Sequence, residues 1–175
     1  TWAAGLAAHS KNIQVFATVH TAFNHPIVTA KQLATLDQMS GGRLGLNVVA
    51  GWNKPEYDAF GKDLPGDHCD RYAMAQEWFD YVQKLWNEDK PFDWEGTFYQ
   101  GKGVYSLPHP IQKKMPIINA AASDEGRNFA MRNADFLFTP VFDFEQAAET
   151  VKDITARAAS AQRTVDVLTF CTVVC

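Results

Sequence analysis

Residues 44–51, LGLNVVAG, form a near-continuous apolar run that ends in glycine. A run of this kind, without polar alternation, suits a strand buried on both faces, as in a parallel sheet. Upstream, residues 26–39 place Ile27, Ala30, Leu33, Ala34 and Met39 on one helical stripe, and Gly41-Gly42 stops the helix. Before that helix, residues 13–19 (IQVFATV) are β-rich, and the first residues, up to His9, suit the tail of another helix. Strand, helix, strand in this order is a parallel crossover unit.

Downstream the alternation continues. Residues 115–122, 136–142 and 165–174 are further strand-like runs. Residues 71–86 carry Tyr72, Ala75, Phe79, Val82 and Trp86 at helical steps, and residues 144–161 repeat the pattern with Ala147, Ala148, Val151, Ile154 and Ala158. Residues 90–110, rich in aromatics, Gly and Pro, read as an inserted loop or hairpin. About five strands with intervening helices predict an α/β fold: an open doubly wound sheet, or a segment of a (β/α)8 barrel. Neither GxGxxG nor GxxxxGK[ST] occurs, which lowers the dinucleotide-binding reading.

Composition narrows the function classes. The 175 residues carry a net charge of −4, 46% apolar residues and 21% charged residues, the profile of a folded globular domain rather than a disordered chain. The acidic balance argues against nucleic acid, and no apolar run is long enough to span a bilayer. Cys69, Cys171 and Cys175 form neither a disulfide framework nor a metal motif, so no metal site is expected and a reducing, cytoplasmic compartment is. The chain starts at Thr1 and finishes in a strand-like run. Both ends are expected to be cuts inside structure, since a complete barrel needs about 250 residues.

In both architectures, functional groups gather at the carboxyl ends of the strands. Those ends hold His20, Asn24 and His25; Asn47, Gly51, Trp52, Asn53 and Glu56; Asn119, Ser123 and Asp124; and Thr139. Asn47 interrupts an apolar run, so it is either a polar tie to a neighbour or a ligand contact in a barrel mouth. Ser123 is a helix N-cap or a phosphate seat; Asp124 and Glu125 oppose the second role unless they turn away. In DHCDRY (67–72), Asp70 reads as an N-cap, and Arg71 as a surface charge or a phosphate fork. No Ser-His-Asp or Cys-His spacing stands out, and no catalytic residue is assigned. Asp58 and Asp63 are near in sequence only.

Four stretches resemble the bacterial luciferase-like flavin-dependent monooxygenases: TWAAGLAAHSKNIQVFATV, HPIVTAKQLATLDQMSGGRLGLNVVAGWNKPEYDAFG, DRYAMAQEWFDYVQKLW and INAAASDEGRNFAMRNADF. The pyrimidine, alkanesulfonate and sulfone oxygenases of that family look most similar. The resemblance implies a luciferase-like (β/α)8 TIM barrel, of which 1–175 is a single partial domain with 90–110 inserted. It implies reduced FMN supplied by an NAD(P)H-dependent flavin reductase, O2 as co-substrate, a flavin peroxide that oxidises a small substrate, and a homo-oligomer. Matched position by position, Asn47 and Glu56 correspond to flavin-contacting residues, Arg71 and Tyr72 to a cofactor-binding pair, and Ser123 to the phosphate-binding serine. His20 ends a strand that faces the flavin ring and is a pocket candidate. Ala121-Ala122 stand where the family often has glycine. Two other readings remain open: a deazaflavin-dependent hydride transferase, and a non-catalytic luciferase-like flavin-binding subunit.

Overall fold

A computed structural model describes residues 1–64, 68–141 and 143–170. It divides into two compact units, Thr1–Met115 and Pro116–Cys175.

The first unit opens with α1 (Trp2–His9), β1 (Val15–His20), α2 (Pro26–Ser40) and β2 (Leu44–Val49). β1 and β2 pair in parallel from Val15 opposite Leu44 to His20 opposite Val49, so their carboxyl ends lie level. Successive side chains alternate between faces. Leu44, Leu46 and Val48 are fully buried on one face. Gly45, Asn47 and Val49 share the other with their partners Phe16, Thr18 and His20. Gly45 has to be glycine, because a Cβ there would overlap the Phe16 ring.

α2 starts as the sequence suggests. Pro26 occupies its first turn, His25 Nδ1 accepts the Ile27 N–H at 3.3 Å, and Gly41 closes it at φ 67°. Its buried stripe is Thr29, Ala30, Leu33, Ala34, Asp37 and Ser40. Met39, expected in that stripe, is 68% exposed, and the fully buried Asp37 lies in it instead. The reason is long-range. Asp37 Oδ2 accepts the backbone N–H of Ile111 (2.8 Å) and Gln112 (3.1 Å), and Oδ1 accepts Gln112 Nε2 (2.6 Å). A carboxylate so satisfied can occupy a core position. Arg43 works similarly after α1, donating to the carbonyls of Ala7, Ser10 and Ile13 and to Ser10 Oγ.

α3 (Lys54–Ala59), α4 (His68–Asn87) and an antiparallel hairpin of β3 (Phe92–Glu95) and β4 (Gln100–Val104) complete the unit. α4 begins three residues before the expected Arg71. Asp70 therefore lies inside the first turn, where its charge favours the helix dipole, and is not the cap. Asp67 falls outside the described residues. Trp78 Nε1 donates to Asn24 O at 2.7 Å and Trp86 Nε1 to Ala30 O at 3.0 Å, which locks α4 across α2 and the loop before it.

The second unit contains β5 (Ile117–Ala120), α5 (Asp124–Asn133), β6 (Phe136–Phe138), α6 (Phe144–Ser160) and β7 (Asp166–Leu168). β6 pairs in parallel with both β5 and β7. The strands are shorter than the apolar runs that announced them; Phe142 and residues 171–175 lie outside the described residues. On α6, Ile154 and Ala158 are buried whereas Val151 is 44% exposed, so the buried stripe is narrower than its periodicity suggests. Asp153 accepts from both Arg127 and Arg157, tying α6 to α5. No helix among the described residues is long and apolar enough to cross a membrane.

Candidate functional site

The carboxyl ends of β1 and β2 bring a group of polar and aromatic side chains together. His20 ends β1. Its Nδ1 accepts the Ala22 backbone N–H at 3.2 Å, and its Nε2 is buried without a partner. Phe23 packs on the ring at 4.2 Å between centroids, and Tyr57 meets it edge-on at 5.4 Å. Gly51, at φ 92°, closes the group: a Cβ there would overlap His20 Nε2 and lie 2.8 Å from Tyr57 Oη. Burial pushes the imidazole below its ordinary pKa; Glu56 pulls it up and Lys62 pushes it down.

Tyr57 is 1% exposed and donates to Ala50 O at 3.2 Å. Burial raises its hydroxyl pKa, the Arg71 charge opposes this, and Glu56 adds to it. Glu56 therefore lies within electrostatic reach of both His20 and Tyr57, and Arg71 within reach of Tyr57. Arg71 is 5% exposed, Tyr72 half-buried and Glu56 exposed. A buried guanidinium at the start of α4 departs from the surface-charge reading of DHCDRY.

For Asn47 the polar tie to a neighbour is present. Nδ2 donates to Thr18 Oγ1 at 3.2 Å, which is the polar tie, while Oδ1 is buried and unpartnered. A buried amide oxygen without a donor costs about 1–3 kcal/mol unless something else supplies one.

The loop between β1 and α2 is held from several sides. Lys62 Nζ donates to Ala22 O, Trp78 Nε1 to Asn24 O, and Asn24 Nδ2 to His20 O. Tyr99 Oη, from the β3–β4 turn, donates to Thr21 O at 3.4 Å. Its hydroxyl pKa is pushed up to about 12 by burial, with Glu77 and Tyr57 adding to the shift. Glu77 of α4 anchors that turn. Its carboxylate accepts the backbone N–H of Thr97, Phe98 and Tyr99 and the Trp94 Nε1–H. Burial would raise the Glu77 carboxyl, but the N–H groups of Phe98 and Tyr99, Trp94 Nε1 and the Thr97 N–H together hold it below its ordinary value.

Sequence reasoning singled out none of Tyr57, Lys62, Glu77 and Tyr99 as site residues. The Lys54-Pro55-Glu56 helix start was a usable signal for Tyr57. Glu77 had none, since its donors arrive from a turn about twenty residues later.

A recess of ≈ 580 Å³ runs along β1 and α2, lined in part by Ala17, Thr18, Asn24, Leu33 and Leu36; it includes none of His20, Glu56, Arg71 and Tyr72. In the second unit, Ser123 caps α5 and accepts the Gly126 N–H at 3.2 Å. Asp124 is drawn to Arg157 Nη2 at 2.7 Å. No group of three or more His, Cys, Asp or Glu suited to a metal ion occurs among the described residues.

The family model described as Luciferase-like monooxygenase matches residues 1–175. The chain belongs to this family. It is similar to the pyrimidine monooxygenase RutA of Escherichia coli (strain SMS-3-5 / SECEC), 40% identical over 140 residues, covering 79% of this chain and 38% of the relative. It is also similar to the FMNH(2)-dependent dimethylsulfone monooxygenase of Pseudomonas putida, 35% identical over 156 residues, covering 89% and 42%. Among solved structures, riboflavin lyase (RcaE) with modified FMN and riboflavin superposes with a TM-score of 0.87 at 27% identity, covering 95% of this chain and 42% of that one. The chain thus spans about two fifths of the length of the curated relatives it matches. The barrel fold of luciferase-like monooxygenases accounts for its parallel strands and for the position of His20 and Gly51 at strand ends.

Proposed function

We propose that the complete protein is an FMN-dependent monooxygenase that uses O2 to oxidise a small organic substrate of the pyrimidine, sulfonate or sulfone class. The observation that carries this reading is Asn47. It is a polar residue in an apolar strand of a luciferase-like chain, with a buried oxygen that has no donor among the described residues.

The residues fit a planar, polar-edged cofactor. Asn47 Oδ1 would accept from a ring N–H. The absence of a Cβ at Gly51 makes room for the His20 ring at the end of β2. Arg71 and Tyr72 would bind the cofactor's polar groups, and Glu56 would sit at its edge. At α5, the Ser123 hydroxyl and the first-turn amides suit a phosphate. Asp124 turned onto Arg157 relieves the repulsion that its charge would otherwise exert there. Reduced FMN, when bound, supplies the electron and oxygen chemistry that side chains lack. The protein's own part is to hold the ring edge, seat the phosphate and keep water from the site.

The same reading includes an NAD(P)H-dependent reductase as flavin supplier, a homo-oligomeric cytoplasmic enzyme, and one barrel domain embracing residues 1–175 with 90–110 inserted. Anaerobic titration of the full-length protein with reduced FMN tests it. Arg71→Ala and Ser123→Ala are expected to weaken affinity by about tenfold or more, as lost charged hydrogen bonds do; unchanged affinity in both removes the assigned site. Binding of a deazaflavin in place of FMN would move the protein to hydride transfer. FMN binding without oxygen consumption across uracil, dimethylsulfone and alkanesulfonates would favour the non-catalytic reading.

A further inference from the structure

The state of His20 follows from its surroundings. Its Nδ1 accepts a backbone N–H from Ala22, so that nitrogen carries no proton. A neutral ring must then carry its proton on Nε2. The ring has little freedom to turn, with Phe23 on one face, the Tyr57 edge on another side and Gly51 against Nε2. The Ala22 N–H is itself fixed, because the loop around it is held by Thr21 N to Val49 O, Tyr99 Oη to Thr21 O, Lys62 Nζ to Ala22 O and Trp78 Nε1 to Asn24 O. One polar atom of this assembly has no use within it: Nε2, buried and without an acceptor among the described residues. A buried N–H left unpaired is destabilising, and its persistence calls for a role.

We propose that His20 is a fixed hydrogen-bond donor of the site, its Nε2–H reserved for an acceptor oxygen of the bound ring or of the substrate. The ligand's identity rests on the flavin-monooxygenase reading above; the tautomer and its orientation rest on the protein alone. Burial favours the neutral imidazole, since it lowers the pKa. The charged groups facing it are Glu56, which works against neutrality, and Lys62, which supports it. A neutral donor offers its proton without losing it, as suits polarisation of a carbonyl or sulfonyl oxygen rather than general-acid transfer.

Nitrogen-15 NMR of the imidazoles in the full-length protein, without flavin, reads the tautomer directly. The Nε2–H form is expected at neutral pH; an Nδ1–H form or an imidazolium overturns the proposal. Two variants read its use. In His20→Gln the side-chain amide reaches the place of Nε2 and keeps a donor there, whereas in His20→Asn it fills only the place of Nδ1. Reduced FMN titration and substrate KM form two arms. His20→Asn is expected to weaken one of them about tenfold, with His20→Gln recovering most of the loss. A change in FMN affinity assigns the acceptor to the flavin; a change in KM alone assigns it to the substrate. Wild-type values for His20→Asn in both arms, or equal losses in the two variants, refute the donor role. Failure of the wild-type protein to bind FMN refutes the flavin reading instead, and the tautomer and the substrate arm then judge His20.

Discussion

Removing the Glu77 carboxylate should free the β3–β4 turn without unfolding the rest of the first unit. Four donors converge on it: the N–H groups of Thr97 (2.9 Å), Phe98 (3.0 Å) and Tyr99 (2.9 Å), and Trp94 Nε1 at a longer 3.3 Å. Gly96 belongs to the same arrangement, since a Cβ there would overlap Glu77 Oε1. In Glu77→Ala the exposed Thr97 and Phe98 amides turn to water at little net loss. The part-buried Tyr99 amide and Trp94 indole do not, and at about 1–2 kcal/mol for each the turn loses about 3 kcal/mol. That is about a hundredfold in a local opening equilibrium. Native-state hydrogen exchange on the full-length protein is the assay. The amides of Phe98 and Tyr99 should exchange about a hundredfold faster, with those of Leu46 and Val48 in β2 unchanged. Glu77→Gln, which keeps one acceptor oxygen, should fall between. The carboxyl is held below its ordinary value, so its stabilisation is complete above the unfolded pKa, about 4.3. It is lost as pH falls through the lower folded value, and turn protection in the wild type should decline only there. Unchanged exchange in Glu77→Ala, or an equal rise throughout β1 and β2, would show that the carboxylate is not the turn's anchor.

Two further perturbations address the site and its support. Gly51→Ala should destabilise by about 2–3 kcal/mol in urea unfolding: about 1–2 from a side chain at positive φ and about 1 from displacing the His20 ring off the Ala22 amide. A loss under about 0.5 kcal/mol would mean that the ring yields freely. Asp37→Ala strips the acceptor from two backbone amides and the Gln112 amide in a fully buried place. A loss of about 3–5 kcal/mol is expected, with Asp37→Asn costing less, by the same measurement.

Local pattern carried much of the fold. The glycine-closed run at 44–51, the Gly41-Gly42 stop and the Pro26 start all act within one or two turns of chain, so β1, α2 and β2 were legible from residues alone. The same holds for Ser123 as a cap, whose partner Gly126 is three residues away. Misread positions have distant partners. Helical periodicity assigns Met39 a core place that belongs to Asp37, whose donors sit 74 and 75 residues on. Asp70 reads as a cap for a different reason: periodicity leaves the first turn open, so it cannot place the start of α4.

The site divides in the same way. Composition, strand-end position and family resemblance by themselves singled out Asn47, Arg71 and His20. Burial of Arg71, the half-satisfied amide of Asn47 and the tautomer of His20 needed the tertiary structure. Each depends on which atoms from Thr18, Ala22, Gly51 and Tyr57 come within a few ångströms. Residue type sets what a side chain can donate or accept. Only the fold decides which of those capacities is spent on the protein and which is left for a ligand, because desolvation and hydrogen-bond geometry arise from neighbours that the chain brings together.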